Sequence, residues 1–418
     1  MDKEFYLGNR KKLYSLLTPS SLLVLFSGKL IHKSADACYP FYANRNFVYL
    51  TGIEQQESIL LAKKGADGLV TEYLFILPKD AMAERWTGRR LSREEAADIS
   101  GIADVRSLDI WQTWFHALAV SGKFDHIYLD LHRQNPENQD QQGHIFAKKL
   151  QETYPWFSIH NVAPLVHHLR TIKQTCEIEA LRRAEEMTKA GILAMMRASK
   201  PGMFEYQYKA EFDRALGQFG PKEAGFQSII SAGENNFCIH YEAYTGQAKD
   251  GDMILNDVGA QYDNLITDVS RGWPCNGKFT ERQKLLYNCA LATSDYMFSV
   301  IRPGMKMADV DRMIHAYNAQ LLVDAGVMDS VEEVGKYMWH GGAHHIGFDV
   351  HDAVQTPEII QPGMVFCVDV GIYHEAWGIG FRLEDNCLVT EDGCENLSAD
   401  IPRTIEQIEA VMAENNVR

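Results

Sequence analysis

The stretch DMILNDVGAQYDNLITDVSRGWP, residues 252–274, sets carboxylates into two otherwise apolar runs. A polar turn near residues 261–264 separates the runs, so the pattern predicts two antiparallel strands carrying Asp257 and Asp268. Strand side chains alternate faces, which places Asp257 beside Met253 and Leu255, where an unpaired charge is costly to bury. Something positive has to meet it. The segment PGMVFCVDVGIYHEAWGIGFRLEDNCLVT, residues 362–390, repeats the arrangement, with Asp369 ending one apolar run and Arg382 and Glu384 on one face of the next. Between the two lies WHGGAHHIGFDVHDA, residues 339–353, which holds His340, His344, His345 and His351.

Taken singly, each Asp reads equally well as a turn residue or a hydrogen-bonded core acid, and each His as a satisfied core residue. Taken together they form a carboxylate-rich donor set with imidazole, which suits Mn2+, Fe2+, Co2+ or Zn2+ and can bridge two ions. A pair of cations would also remove the burial cost.

These residues resemble the proline-specific aminopeptidases and dipeptidases of the pita-bread fold, and aminopeptidase P most of all. The features that carry the resemblance are the step from Asp257 to Asp268, the DVSR that begins at Asp268, the HxxGxDVHD run at His344 and the RLEDN around Glu384. The resemblance implies a metal set of Asp257, Asp268, His344, Asp369 and Glu384. It implies two divalent ions, Mn2+ first, with Co2+, Zn2+ or Fe2+ as alternatives. Asp369 departs from the family, which has Glu there, usually followed by Pro-Gly where this chain has Val370-Gly371. By the same resemblance Asp369 takes the nucleophile's proton. His340, His351 and His240 line the substrate site as catalytic groups, with His240 and His351 also binding substrate, and Arg382 orients carboxylates and substrate. His345 corresponds to a residue that is not a ligand. The implied activity is release of the first residue from peptides with proline second. An Xaa-Pro dipeptidase is the alternative within enzymes, and a weakly active or non-catalytic binding protein on the same fold is the alternative outside them.

A chain of 418 residues predicts two or three domains by length, with ample room for a full core. Its net charge of −15 argues against nucleic acid or an anionic membrane as partner and leaves a small peptide substrate open. Eight cysteines occur without a C-x-x-C pair and read as reduced, mostly buried thiols. No apolar leader and no run of about eighteen apolar residues is visible, so the expected setting is the cytoplasm.

The expected fold class is α/β (α+β), with a mixed-sheet domain over residues 1–168 and a pita-bread catalytic domain over 169–418. In the first part, a helix over residues 9–17 precedes the strand-like SLLVLFSG, and ESILLA, EYLFILP and DHIYLDL read as further strands, with GHIFAKKLQETY as a helix. This region resembles the amino-terminal domain of aminopeptidase P and prolidase, which implies a homo-oligomer, dimer or tetramer. Trp86, Arg89 and Arg90 read as an exposed loop. In the second part, a helix from Cys176 closes at Pro201-Gly202 and a helix from Glu281 closes at Pro303-Gly304, and each half runs on to an Asp-Val-Gly strand. This pattern predicts an internal duplication whose two hairpins meet across a shared sheet.

Overall fold

Two units divide the chain, Met1–Arg170 and Thr171–Arg418, in a computed structural model that describes residues 1–220, 224–354 and 358–414. In the first unit, six strands form one mixed sheet in the order Val105–Ser107, Val70–Ile76, Ile59–Lys64, Ser21–Phe26, His126–Leu129, Ser158–Asn161. Ser21–Phe26 runs antiparallel to Ile59–Lys64 on one side and parallel to His126–Leu129 on the other. Being central, it is buried along almost its whole length, which is why its sequence is a continuous apolar run without alternation. Trp111 and Phe115 pack with Leu22, Val24 and Leu61 in that unit's core. The first helix spans Lys3–Leu16 and starts earlier than the apolar spacing implies, because the Asp2 carboxylate accepts the Phe5 N–H and caps it. Trp86 stands exposed at the end of a short helix, Ala81–Thr87, rather than in a loop.

The second unit shows the expected repeat. A helix Thr175–Ala198, a turn at Pro201-Gly202, a helix Glu205–Leu216 and a hairpin are followed by a helix Glu281–Val300, a turn at Pro303-Gly304, a helix Met307–Asp324 and a second hairpin. Gly202 and Gly304 take φ of +84° and +90°, so both turns use the same left-handed exit after proline. The first hairpin pairs Met253–Val258 with Val269–Pro274, and the second pairs Val365–His374 with Ile379–Val389. Two features differ from the expectation. An inner hairpin, Gln261–Tyr262 with Leu265–Ile266, forms the tip of the first one, so Asp268 stands just before its strand and not on it. The hairpins also lie in two three-stranded sheets, and side chains join them.

Those side chains are the motif residues themselves. The Asp268 N–H donates to Asn386 Oδ1 at 3.0 Å, and Ser270 Oγ donates to Glu384 Oε2 at 2.8 Å. Arg271, on the opposite face from Ser270, donates to Asp385 Oδ1 and to the Glu384 carbonyl, both at 2.7 Å. Both members of the Arg271–Asp385 ion pair are fully buried. DVSR and RLEDN thus interlock, alternate letters facing the cavity and the core. The eight cysteines are free, and four of them are buried, fewer than composition led us to expect. No helix among the described residues is long and apolar enough to cross a membrane.

The glycine of the first Asp-Val-Gly closes this hairpin, since a Cβ on Gly259 would sit 1.7 Å from the Thr267 carbonyl oxygen. Gly259→Ala must push the strand ends apart beside Asp268. We expect it to cost at least the roughly 1–3 kcal/mol typical of overpacking. Thermal unfolding should fall by about 2–4 °C per kcal/mol for a unit of this size. An unchanged melting temperature would mean that the two strand ends part freely.

Candidate metal centre

Strand alternation brings the predicted acids together. In the second hairpin Asp369 and Glu384 are direct cross-strand partners, and Asp257 pairs with Ser270 in the first. Asp268, Asp369 and Glu384 are all buried, and a like-charged pair directly across a hairpin is unfavourable without a counter-charge. Arg382 meets part of this charge: Nη2 donates to Asp257 Oδ2 at 2.8 Å. Its Nη1 donates to Tyr373 Oη at 3.0 Å and to the Ile239 carbonyl at 3.1 Å. The remaining carboxylate oxygens are short of partners, because Asp257 Oδ1, Asp268 Oδ1 and Asp369 Oδ1 are buried and accept no hydrogen bond.

The electrostatics follow from that shortage. Burial, with Glu384 and Asp257 close by, pushes the Asp268 carboxyl well above its ordinary range. Burial, with Asp369 and Asp257 as neighbours, does the same to Glu384. Asp369 is raised by burial against the opposing pull of His340 and Arg382. Burial also works against the charge on Asp257, but the Arg382 guanidinium holds its carboxyl below the usual value. His344 is pushed down to about 4 by burial and by His351, so its imidazole is neutral and free to donate a lone pair.

Two donor groups emerge. Asp257, Asp268 and Glu384 each offer an oxygen, and these three atoms lie within 4.8 Å of one another. His344, Cys367 and Glu384 form a second such group, sharing Glu384 with the first. His344 Nε2 stands 3.5 Å from Asp268 Oδ2 and 3.7 Å from Glu384 Oε1. Orphaned buried oxygens beside a neutral imidazole are what a divalent cation requires, and the residues present fit one. Asp369 joins neither group among the described residues. Its Oδ2 lies 3.3 Å from His340 Nδ1.

Around the donors the other predicted residues fall into place. His340 Nε2 is 3.0 Å from Tyr373 Oη, and Arg382 already donates to that oxygen. His340 Nδ1 faces only acceptors, the Gly341 carbonyl and Asp369, so a neutral ring carries its proton there and Nε2 accepts from the Tyr373 hydroxyl. A Cβ on Gly371 would lie 2.3 Å from His340 Nε2, so the second Asp-Val-Gly needs its glycine to admit this ring. The His351 ring packs 4.1 Å from that of His344, and its basicity is lowered by partial desolvation of the ring and then by His240 nearby. His345 faces elsewhere, with its ring buried against Phe366 and both nitrogens without a hydrogen-bond partner. Ser270, Cys367 and Tyr373 belong to the site although acids and histidines alone do not point to them. For Cys367 and Tyr373 the signal is that they share one strand face with Asp369 and Gly371 at alternate positions, while Ser270 is placed only by its contact with Glu384.

The profile of metallopeptidase family M24 matches residues 179–391, and that of the aminopeptidase P N-terminal domain matches residues 6–128. The Xaa-Pro aminopeptidase of Escherichia coli strain K12 is 30% identical, over 99% of this chain and 98% of its own. Among solved structures, a Bacillus anthracis chain assigned to aminopeptidase P superposes with a TM-score of 0.96 at 39% identity, covering all of both chains. Aminopeptidase P from Escherichia coli with the inhibitor Pro-Leu superposes at 0.91 with 29% identity, again over both full chains. With both domain profiles in order along it and a donor set in place, the chain belongs to metallopeptidase family M24, within the aminopeptidase P group.

Proposed function

We propose that this protein is an Xaa-Pro aminopeptidase, hydrolysing the bond between a peptide's first residue and a proline in second position. The observation that carries the reading is the cluster of Asp257, Asp268, His344 and Glu384, whose donor atoms converge while three buried carboxylate oxygens of Asp257, Asp268 and Asp369 stay unpaired. The names of the full-length relatives support it. Asp257, Asp268 and Glu384 would hold one divalent ion, and His344, Glu384 and Asp369 with Asp268 a second, Mn2+ being the ion the resemblance favours. When bound, such ions polarise the scissile carbonyl and activate water for attack.

The chain's own residues do the rest. Arg382 neutralises Asp257 and fixes Tyr373, and His340, accepting from Tyr373 at Nε2, presents its Nδ1–H toward Asp369. That N–H can follow charge as it develops on the substrate oxygen. Asp369 stands next to it as the proton acceptor. His240 and His351 line the open side, where both are exposed. Trp339 stacks on Tyr373 with ring centroids 4.6 Å apart, and Phe237 lies 5.9 Å from Trp339. This wall offers an apolar face to a pyrrolidine ring, whose imide nitrogen has no N–H for recognition by hydrogen bonding. The resemblance also supplies a homo-oligomer in the cytoplasm as parts of the same reading.

Turnover of Ala-Pro-Ala against Ala-Pro and Ala-Ala-Ala tests the specificity. Ala-Pro-Ala should be the substrate, and cleavage of Ala-Ala-Ala at an equal rate would exclude proline recognition. Cleavage of Ala-Pro alone would indicate a dipeptidase.

Asp369 carries a separate expectation. Losing one methylene relative to Glu retracts the carboxylate by about 1.5 Å, and Asp369 is the one predicted acid outside both donor groups. Asp369→Glu should tighten the weaker ion and raise activity at limiting metal, as read by metal content after dialysis alongside the rate. Loss of activity in Asp369→Glu, with both ions held tightly in the parent, would show that the strand has already adapted to Asp.

A further inference from the structure

Cys367 lies two residues before Asp369 on Val365–His374, so both side chains point from the same strand face into the cavity. It is fully buried and pairs in register with Asn386, the residue that grips Asp268. The backbone also positions it. The Cys367 N–H donates to the His344 carbonyl at 2.9 Å, and the His344 N–H donates back to Cys367 Sγ at 3.3 Å. Sulfur, imidazole nitrogen and the Glu384 oxygen thereby come within 4.8 Å of one another, while the shorter Asp369 falls outside the group.

We propose that Cys367 is a further donor to the divalent ion beside His344 and Glu384, its sulfur standing in for the reach that Asp369 lacks. The inference rests on the metal-centre reading above. On binding, the S–H bond gives its proton to solvent as the sulfur–metal bond forms, and no electron is transferred. A thiolate in a site of oxygen and nitrogen donors shifts preference toward softer ions, Co2+, Zn2+ and Cd2+ over Mn2+. As an inert core residue Cys367 would do none of this, since a buried thiol otherwise behaves as a small hydrophobe.

The test is the absorption spectrum of the full-length protein loaded with Co2+ in the absence of thiol buffers. A sulfur-to-cobalt charge-transfer band in the near ultraviolet is expected. It should vanish in Cys367→Ser with the visible d–d bands kept, and persist when the exposed Cys38 and Cys238 are both changed to Ser. Cys367→Ser should weaken Cd2+ binding at least about tenfold, the lower end of what losing even an outer-shell partner costs a site. Mn2+ affinity should change by less than about threefold, because sulfur contributes little to a hard ion. Stoichiometric Co2+ without the charge-transfer band in the parent protein overturns the proposal and leaves the metal centre standing. Absence of stoichiometric Co2+ overturns both. Should Cys367→Ser fail to fold, the cadmium-113 resonance of the parent decides: a thiolate-shifted signal supports the sulfur ligand, and one in the oxygen–nitrogen range refutes it.

Discussion

Four carboxylates, Asp257, Asp268, Asp369 and Glu384, share one cavity, and among the described residues the Arg382 guanidinium is in ion-pair contact with Asp257. Like charges at this spacing in a poorly hydrated site cannot all ionise without more positive charge nearby. The directions of the shifts show how the strain is divided: Arg382 holds the Asp257 carboxyl down, while burial and the neighbouring carboxylates drive Asp268 and Glu384 upward. A cavity built this way is poised to exchange protons for divalent cations. The rest of the catalytic unit holds the four acids in place despite their repulsion.

The holding is done by hairpins locked through their own motif residues. Arg271 and Asp385 bury a complete ion pair behind the site, and removing one partner of such a pair is far more costly than its net worth in place. Lys173 and Asp352 form a second fully buried pair, and Gly347 leaves the space that Asp352 occupies. Within HxxGxDVHD, then, one histidine faces the donors, and the glycine and last aspartate build the wall. The duplicated Asp-Val-Gly has a comparable division. Each aspartate goes to the cavity, and each glycine admits a close neighbour, the Thr267 carbonyl in one half and the His340 ring in the other.

Much of this was legible in the chain. Apolar runs interrupted by Asp257, Asp369 and Glu384 marked the hairpins, because only a strand with a special face tolerates acids at such positions. The Pro-Gly turns and repeated Asp-Val-Gly marked the duplication, and the structure repeats helix, turn, helix and hairpin in both halves. What escaped the reading depends on contacts between distant segments. Ser270 and Tyr373 are ordinary strand residues until the register sets one against Glu384 and the other between His340 and Arg382. The inner hairpin that moves Asp268 off its strand depends on Asp263 and Asn264 adopting positive φ, which composition permits without requiring. The early start of the first helix lay in the Asp2 cap, outside the apolar spacing.

Divalent ions and protons compete for the same buried carboxylate oxygens. Calorimetric titration of the metal-free protein with Mn2+, in two buffers of different ionisation enthalpy, measures that competition directly. Because burial raises the carboxyls of Asp268 and Glu384, protons compete with an incoming ion for these oxygens, so affinity rises with pH. Two ions should bind, with proton release on binding that diminishes as pH rises. Binding of two ions with the same heat in both buffers, and no dependence of affinity on pH, would contradict this.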